Sequence, residues 1–140
     1  MANASEAMQA AGRGRLFWVG WGMSGLVIAF MLMDATMKLL ALPVVLESGA
    51  PLGFAGVPMA HGLGTVLLIC TILYALPRTA VLGAILLTGY LGGAVATHLR
   101  VGSPLFSHVL FGVYLGVLLW GGLYLRDARL RALIPLRAAL

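Results

Sequence analysis

Apolar positions in this chain come in four long runs, not in short alternations. Leu16 to Met33 and Thr79 to Thr97 carry no charged residue, and the runs at about 59–76 and 105–125 are interrupted only by His61 and His108. An uncharged run of roughly 18 residues or more is long enough to cross a bilayer as a helix. The pattern predicts an all-α fold: an integral membrane four-helix bundle with spans at about 16–40, 59–76, 79–99 and 105–125.

The breaks between the runs set the topology. Leu76-Pro77-Arg78-Thr79 and Gly102-Ser103-Pro104 are short, so the spans they join are antiparallel neighbours. Ser103 reads as a helix N-cap with Pro104 the first helical residue, and Pro58 as the first turn of the second span. Pro43 ends the first span, because an interior proline removes a hydrogen bond and clashes with the preceding turn. Residues 43–58 hold three prolines, three glycines and Glu47 and read as a loop that dips toward the membrane. Residues 1–15 read as a loosely ordered segment and 126–140 as a basic tail lying along the interface.

Composition sharpens this picture. The chain is 61% hydrophobic and only 9% charged, where a soluble domain carries about a quarter charged residues. The net charge of +5 does not point to nucleic acid, because the basic residues sit at the ends of apolar runs. They read as a topology signal and an attraction to anionic membrane lipids. Arg13, Arg15, Arg78, Arg126, Arg129, Arg131 and Arg137 fall on one side, and only Lys38 and Arg100 on the other. The positive-inside rule then puts both termini in the cytoplasm, with the chain in a bacterial cytoplasmic (inner) membrane. The first run is too long for a secretory signal and has no clear cleavage site, so it reads as an uncleaved span. Trp18, Trp21, Tyr74, Trp120 and Tyr124 read as an aromatic belt on the basic side. The single Cys70 excludes an intramolecular disulfide and a cysteine zinc site.

That orientation brings the chemistry to the other side. Asp34 and Lys38 end the first span, His61 begins the second, His98 and Arg100 end the third, and His108 lies about one turn into the fourth. Ionisable residues within a membrane are costly and face the bundle interior or a wet cavity. Together they predict a polar pocket, with Asp34 and His98 as candidate catalytic residues and Lys38, His61, Arg100 and His108 as ligand-binding residues. Each even span starts with proline and then histidine, Pro58 and His61 or Pro104 and His108, an echo that suggests two hairpins facing each other. Asp34 and Lys38 stand four apart in the favourable order for a helical ion pair. No i, i+4 histidine pair exists, and no metal ligand set is assigned. A quinone suits the residue types better. Its carbonyls need donors such as His, Arg or Tyr at the interface, and its tail needs an apolar groove. Gly89 and Gly93, like Gly112 and Gly116, have the spacing for close helix packing, within the bundle or in a homo-oligomer.

DATMKL at 34–39, LGTVLLICTILYALPRTAVLGAILLTGYLGGAVATHLRVGSP at 63–104 and FGVYLGVLLWGGLYLRD at 111–127 resemble the DoxX-like family of small four-helix membrane proteins. The resemblance implies that fold. It also implies a link to membrane redox systems, since the family takes its name from a subunit of a quinone-reducing, thiosulfate-oxidising system. The chain carries no haem, flavin or cysteine redox motif of its own, so a redox role requires a bound quinone or a partner subunit. Three readings stay open: a quinone-binding redox protein, a non-catalytic carrier, receptor or assembly subunit for a small solute or lipid, and a histidine-rich metalloenzyme.

Overall fold

The computed structural model describes residues 3–134. Four of its helical stretches are long and apolar enough to span a membrane. They are α1 (Ala4–Leu39), α3 (Val57–Ala75), α4 (Ala80–Arg100) and the stretch Leu105–Arg126, whose regular part is α5 (Phe111–Arg126). Short helices α2 (Pro43–Gly49) and α6 (Ala128–Leu133) complete the order. The four long helices pack in a closed ring, α1 on α3, α3 on α4, α4 on α5 and α5 on α1.

Each long helix buries one stripe. On α1 it is Gly20, Ser24, Val27, Met31 and Ala35, and on α3 it is Ala60, Gly64, Leu67, Thr71 and Tyr74, with Cys70 beside it. The three- and four-residue steps keep these positions on one helix face. Leu26, Ile69, Leu82, Ile85 and Val117 point outward. Such an apolar exterior suits lipid, where helices satisfy their own backbone polar groups. Lipid is as apolar as a leucine core, so helix association depends on close approach and polar contacts. Small residues provide that approach. Gly20 on α1 lies against Gly122 and Leu125 on α5, and Gly64 on α3 against Ala35 and Lys38 on α1. Gly83 on α4 lies against the Tyr74 backbone on α3.

Several sequence expectations change. Residues 4–15 are helical and continuous with the first span. Asn3 and Glu6 close a reciprocal capping box, each side chain accepting from the other's backbone N–H. Residues 43–58 are not a bare loop: Pro43 is a helix-starting residue of α2, and Ala50–Leu52 add a 3-10 turn. Tyr74 is no belt residue but is fully buried between the helices near the end of α3, whereas Trp18 is 72% exposed. Gly89, Gly93 and Gly116 meet nothing within 4 Å of a built Cβ; of the four spaced glycines only Gly112 packs, against Leu91 and Val95. Beyond α5, Asp127 caps α6 by accepting from the Arg129 N–H, and Arg131 donates to the Tyr124 and Leu125 carbonyls. Arg137 lies outside the described residues.

The end of α1 carries a local strain. The Leu42 N–H donates to the Met37 carbonyl and the Ala41 N–H to Lys38, a Schellman ending. Its left-handed position holds Ala41, φ 48°, where glycine is usual. An L-residue there costs about 1–2 kcal/mol, partly offset by the greater unfolded freedom of glycine. Ala41→Gly is expected to raise the unfolding midpoint modestly, by about 0.5–1 kcal/mol equivalent. Denaturant titration in detergent checks it, and a lowered midpoint would contradict the strain.

Candidate functional site

Asp34, Lys38, His98 and His108 gather at the end of the bundle where α1 and α4 finish. Asp34 and Lys38 sit one turn apart on α1 and form an ion pair, their side chains 30% and 18% exposed. The Asp34 carboxylate is therefore held by Lys38 and orients no histidine.

His98 owes its position to the ending of α4. The Ser103 N–H donates to the His98 carbonyl and the Gly102 N–H to Leu99, a second Schellman turn. Gly102 takes the left-handed position, φ 70°. The motif juxtaposes the side chains at its two ends, usually apolar ones; here they are His98 and Ser103, with Nδ1 3.0 Å from Oγ. Ser103 thus turns back to α4 and caps no helix, and Pro104 takes the cap position instead.

Leu105–Val109 form a widened turn, with the Val109 N–H donating to Pro104 and the Leu110 N–H to Leu105, five residues back. Such turns are rare and frequent at functional sites. This one brings His108 to His98, ring centroids 5.6 Å apart and planes at 62°. The His108 Nδ1 lies 2.8 Å from the Ser107 Oγ.

Two adjoining cavities of about 700 and 460 Å³ meet at these groups. Asp34, Lys38, His98 and His108 line both. The larger cavity lies under α2 and the 3-10 turn, among Val44, Val45, Ser48, Pro51 and Ser103. The smaller runs into the bundle among Phe30, Met31, Leu63, Tyr90, Phe111 and Leu115, with Gly89 and Gly93 on its α4 wall. Phe30 and Phe111 meet edge to face in that wall, centroids 5.3 Å apart. The arrangement is a polar junction with an apolar chamber below it.

Two of the sequence candidates stay outside. His61 is exposed on α3, beside the buried stripe rather than on it, and lines neither cavity. The proline–histidine echo fails because only the fourth span has the widened turn that redirects its histidine. Arg100 also lines neither cavity; its Nη2 donates to the Leu52 carbonyl at 3.0 Å and ties the 43–56 connection to α4. Among the described residues, no three His, Cys, Asp or Glu side chains come together as metal ligands. Sequence reasoning missed Ser103, Ser107 and Tyr90. Gly102, three residues before the widened turn, was the available signal for Ser103, because it marks the helix ending that folds Ser103 onto His98.

The family model described as DoxX-like family matches residues 22–122. The chain belongs to the DoxX-like family. The match covers all six candidate residues, both cavities and the 43–56 connection. No curated protein and no solved structure matches the chain.

Proposed function

We propose that this DoxX-like protein binds a quinone or a similar lipid-soluble ligand at the junction of the two cavities, as part of a membrane redox system. The observation that carries this reading is the shared wall: imidazoles and an ion pair stand where a vestibule under α2 meets an apolar chamber in the bundle. An amphipathic ligand would place its polar head against His98, His108 and Lys38 and its ring and tail among Phe30, Met31, Tyr90 and Phe111. The donors suit carbonyl oxygens, and the chamber suits a flat ring. A quinone, when bound, supplies electron and proton exchange; this chain's residues bind, orient and keep the ring from bulk water. Electron delivery falls to a partner subunit, since the chain's single cysteine, Cys70, is buried and stands outside both cavities. The basic-end bias in the sequence supports cytoplasmic termini and a site on the outer face of a bacterial inner membrane. A carrier for another amphipathic solute would use the same cavities without redox chemistry.

Native mass spectrometry of the protein purified gently from its own membrane tests the ligand directly. An added mass matching a quinone is the expected result; a different organic mass would favour the carrier, and a metal mass would revive the metalloenzyme. Affinity for an added short-tailed quinone should fall about tenfold in His98→Ala, the upper end for one lost hydrogen bond. The unfolding midpoint should stay put. Gly93→Leu, which fills the chamber from an open position, should also block binding. Unchanged binding in both variants would remove the site from consideration.

A further inference from the structure

The histidines are held in an unusual way. His98 and His108 each have Nδ1 on a serine hydroxyl, Ser103 at 3.0 Å and Ser107 at 2.8 Å. Neither Nε2 has a partner among the described residues, and both rings line the cavities. The two serine hydroxyls make no other hydrogen bond among the described residues. A hydroxyl both donates and accepts and rotates to suit, and a neutral imidazole carries its proton on either nitrogen.

We propose that Ser103 and Ser107 are positioning residues that let the histidines offer Nε2 as either donor or acceptor, so that one site holds both the carbonyl and the hydroxyl form of its ligand. This rests on the ligand reading above and deepens it. Facing a ligand carbonyl, the serine O–H donates to Nδ1 and Nε2–H donates to the ligand oxygen. Facing a ligand hydroxyl, Nδ1–H donates to the serine oxygen and the bare Nε2 accepts a hydrogen bond from the ligand O–H. Each state holds one imidazole proton and one serine proton; only their positions differ, and no ligand bond breaks.

The arrangement has a consequence that packing alone would not produce. With Ser103 reduced to alanine, Nδ1–H would point at a methyl group. The proton would then stay on Nε2, which still serves a carbonyl but no longer accepts from a hydroxyl. The backbone bond from residue 103 to His98 survives the change, because it uses the main-chain N–H.

The test measures dissociation constants for a decyl-substituted benzoquinone and its hydroquinone, the latter kept reduced anaerobically, with the full chain in lipid nanodiscs. Wild type should bind the two within about threefold of each other. Ser103→Ala should weaken the hydroquinone about tenfold and the benzoquinone by less than about threefold, the penalty for an unpaired donor falling on one form only. Ser103→Thr, which keeps the hydroxyl, should restore the ratio. Ser107→Ala repeats the measurement at His108 should the first variant fold poorly. Equal weakening of both forms, or no change in either, would overturn the donor–acceptor exchange and leave the ligand reading intact. Failure of wild type to bind either form would overturn both.

Discussion

Gly83→Ala is expected to be the most damaging single change in the bundle. A Cβ built at Gly83 would lie 2.2 Å from the Tyr74 nitrogen and 2.5 Å from its Cα. Those are backbone atoms of the facing helix, so no rotamer change relieves the clash. The α3–α4 turn adds to the rigidity: only residues 76–79 join the helices, and the Thr79 hydroxyl donates to the Leu73 carbonyl at 2.8 Å. The last turn of α3 and the first turn of α4 would have to separate, and the cost should reach about 3 kcal/mol or more, the upper range for overpacking. Gly89→Ala on the same helix gives the contrast. Nothing lies within 4 Å of its Cβ position, and alanine favours a helix over glycine by about 1 kcal/mol. Its stability should hold or rise slightly. Unfolding midpoints of the two variants in one detergent decide the matter; a tolerated Gly83→Ala would show that the hairpin is looser than this packing.

That pair of glycines also shows what was and was not legible in the sequence. The four apolar runs gave the helices, because length and absence of charge alone decide whether a segment can cross a bilayer. Which glycines pack was illegible. The spacing of Gly89 and Gly93 looked like a helix contact, but a packing face depends on how each helix rotates toward its neighbours. The rotation is set by the buried stripes, Ala80, Gly83, Ala84, Leu87 and Leu91 on α4, and in so apolar a helix no contrast between faces marks the stripe. The same blindness affected the site. Depth along the helix axis follows from residue count, so Asp34, Lys38, His98 and His108 were placed at one end correctly. Direction around the axis does not follow from residue count, so His61 looked equivalent to His108 until the widened turn separated them. Arg100 was read for its charge, whereas its position two residues after His98 puts it on the outside, where it ties down the Leu52 carbonyl.

Arg126→Met should cost about 2–4 kcal/mol, although the residue lines neither cavity and reads from the sequence only as a topology signal. Its Nε donates to the Ser24 Oγ at 2.9 Å and its Nη2 to the Tyr74 carbonyl at 3.1 Å. The guanidinium also lies over the Trp21 ring, 4.3 Å from the centroid. Directions within this network follow from chemistry. Arginine only donates and the Leu119 carbonyl only accepts, at 2.7 Å from the Tyr74 hydroxyl. Ser24, 2.9 Å from that hydroxyl, must therefore accept from Arg126 and donate to Tyr74. One chain of donors crosses α5, α1 and α3 and returns to α5. Hydrogen bonds between membrane helices average only about 0.6 kcal/mol each, so Tyr74→Phe alone should cost about 1 kcal/mol. Arg126 joins two hydrogen bonds to charge and an aromatic contact, each larger: roughly 1.5–3 kcal/mol for a charged hydrogen bond and 0.5–2 for the cation–π pair before solvent exposure reduces them. Lysine should not rescue it, because one ammonium on a flexible stem lacks the planar fork that reaches Ser24 and the Tyr74 carbonyl together. A double-mutant cycle of Arg126→Met with Tyr74→Phe, read by unfolding in detergent, should show a coupling of about 0.5–1.5 kcal/mol. Strict additivity would mean that the arginine and the tyrosine act separately, and that Ser24 relays nothing between them.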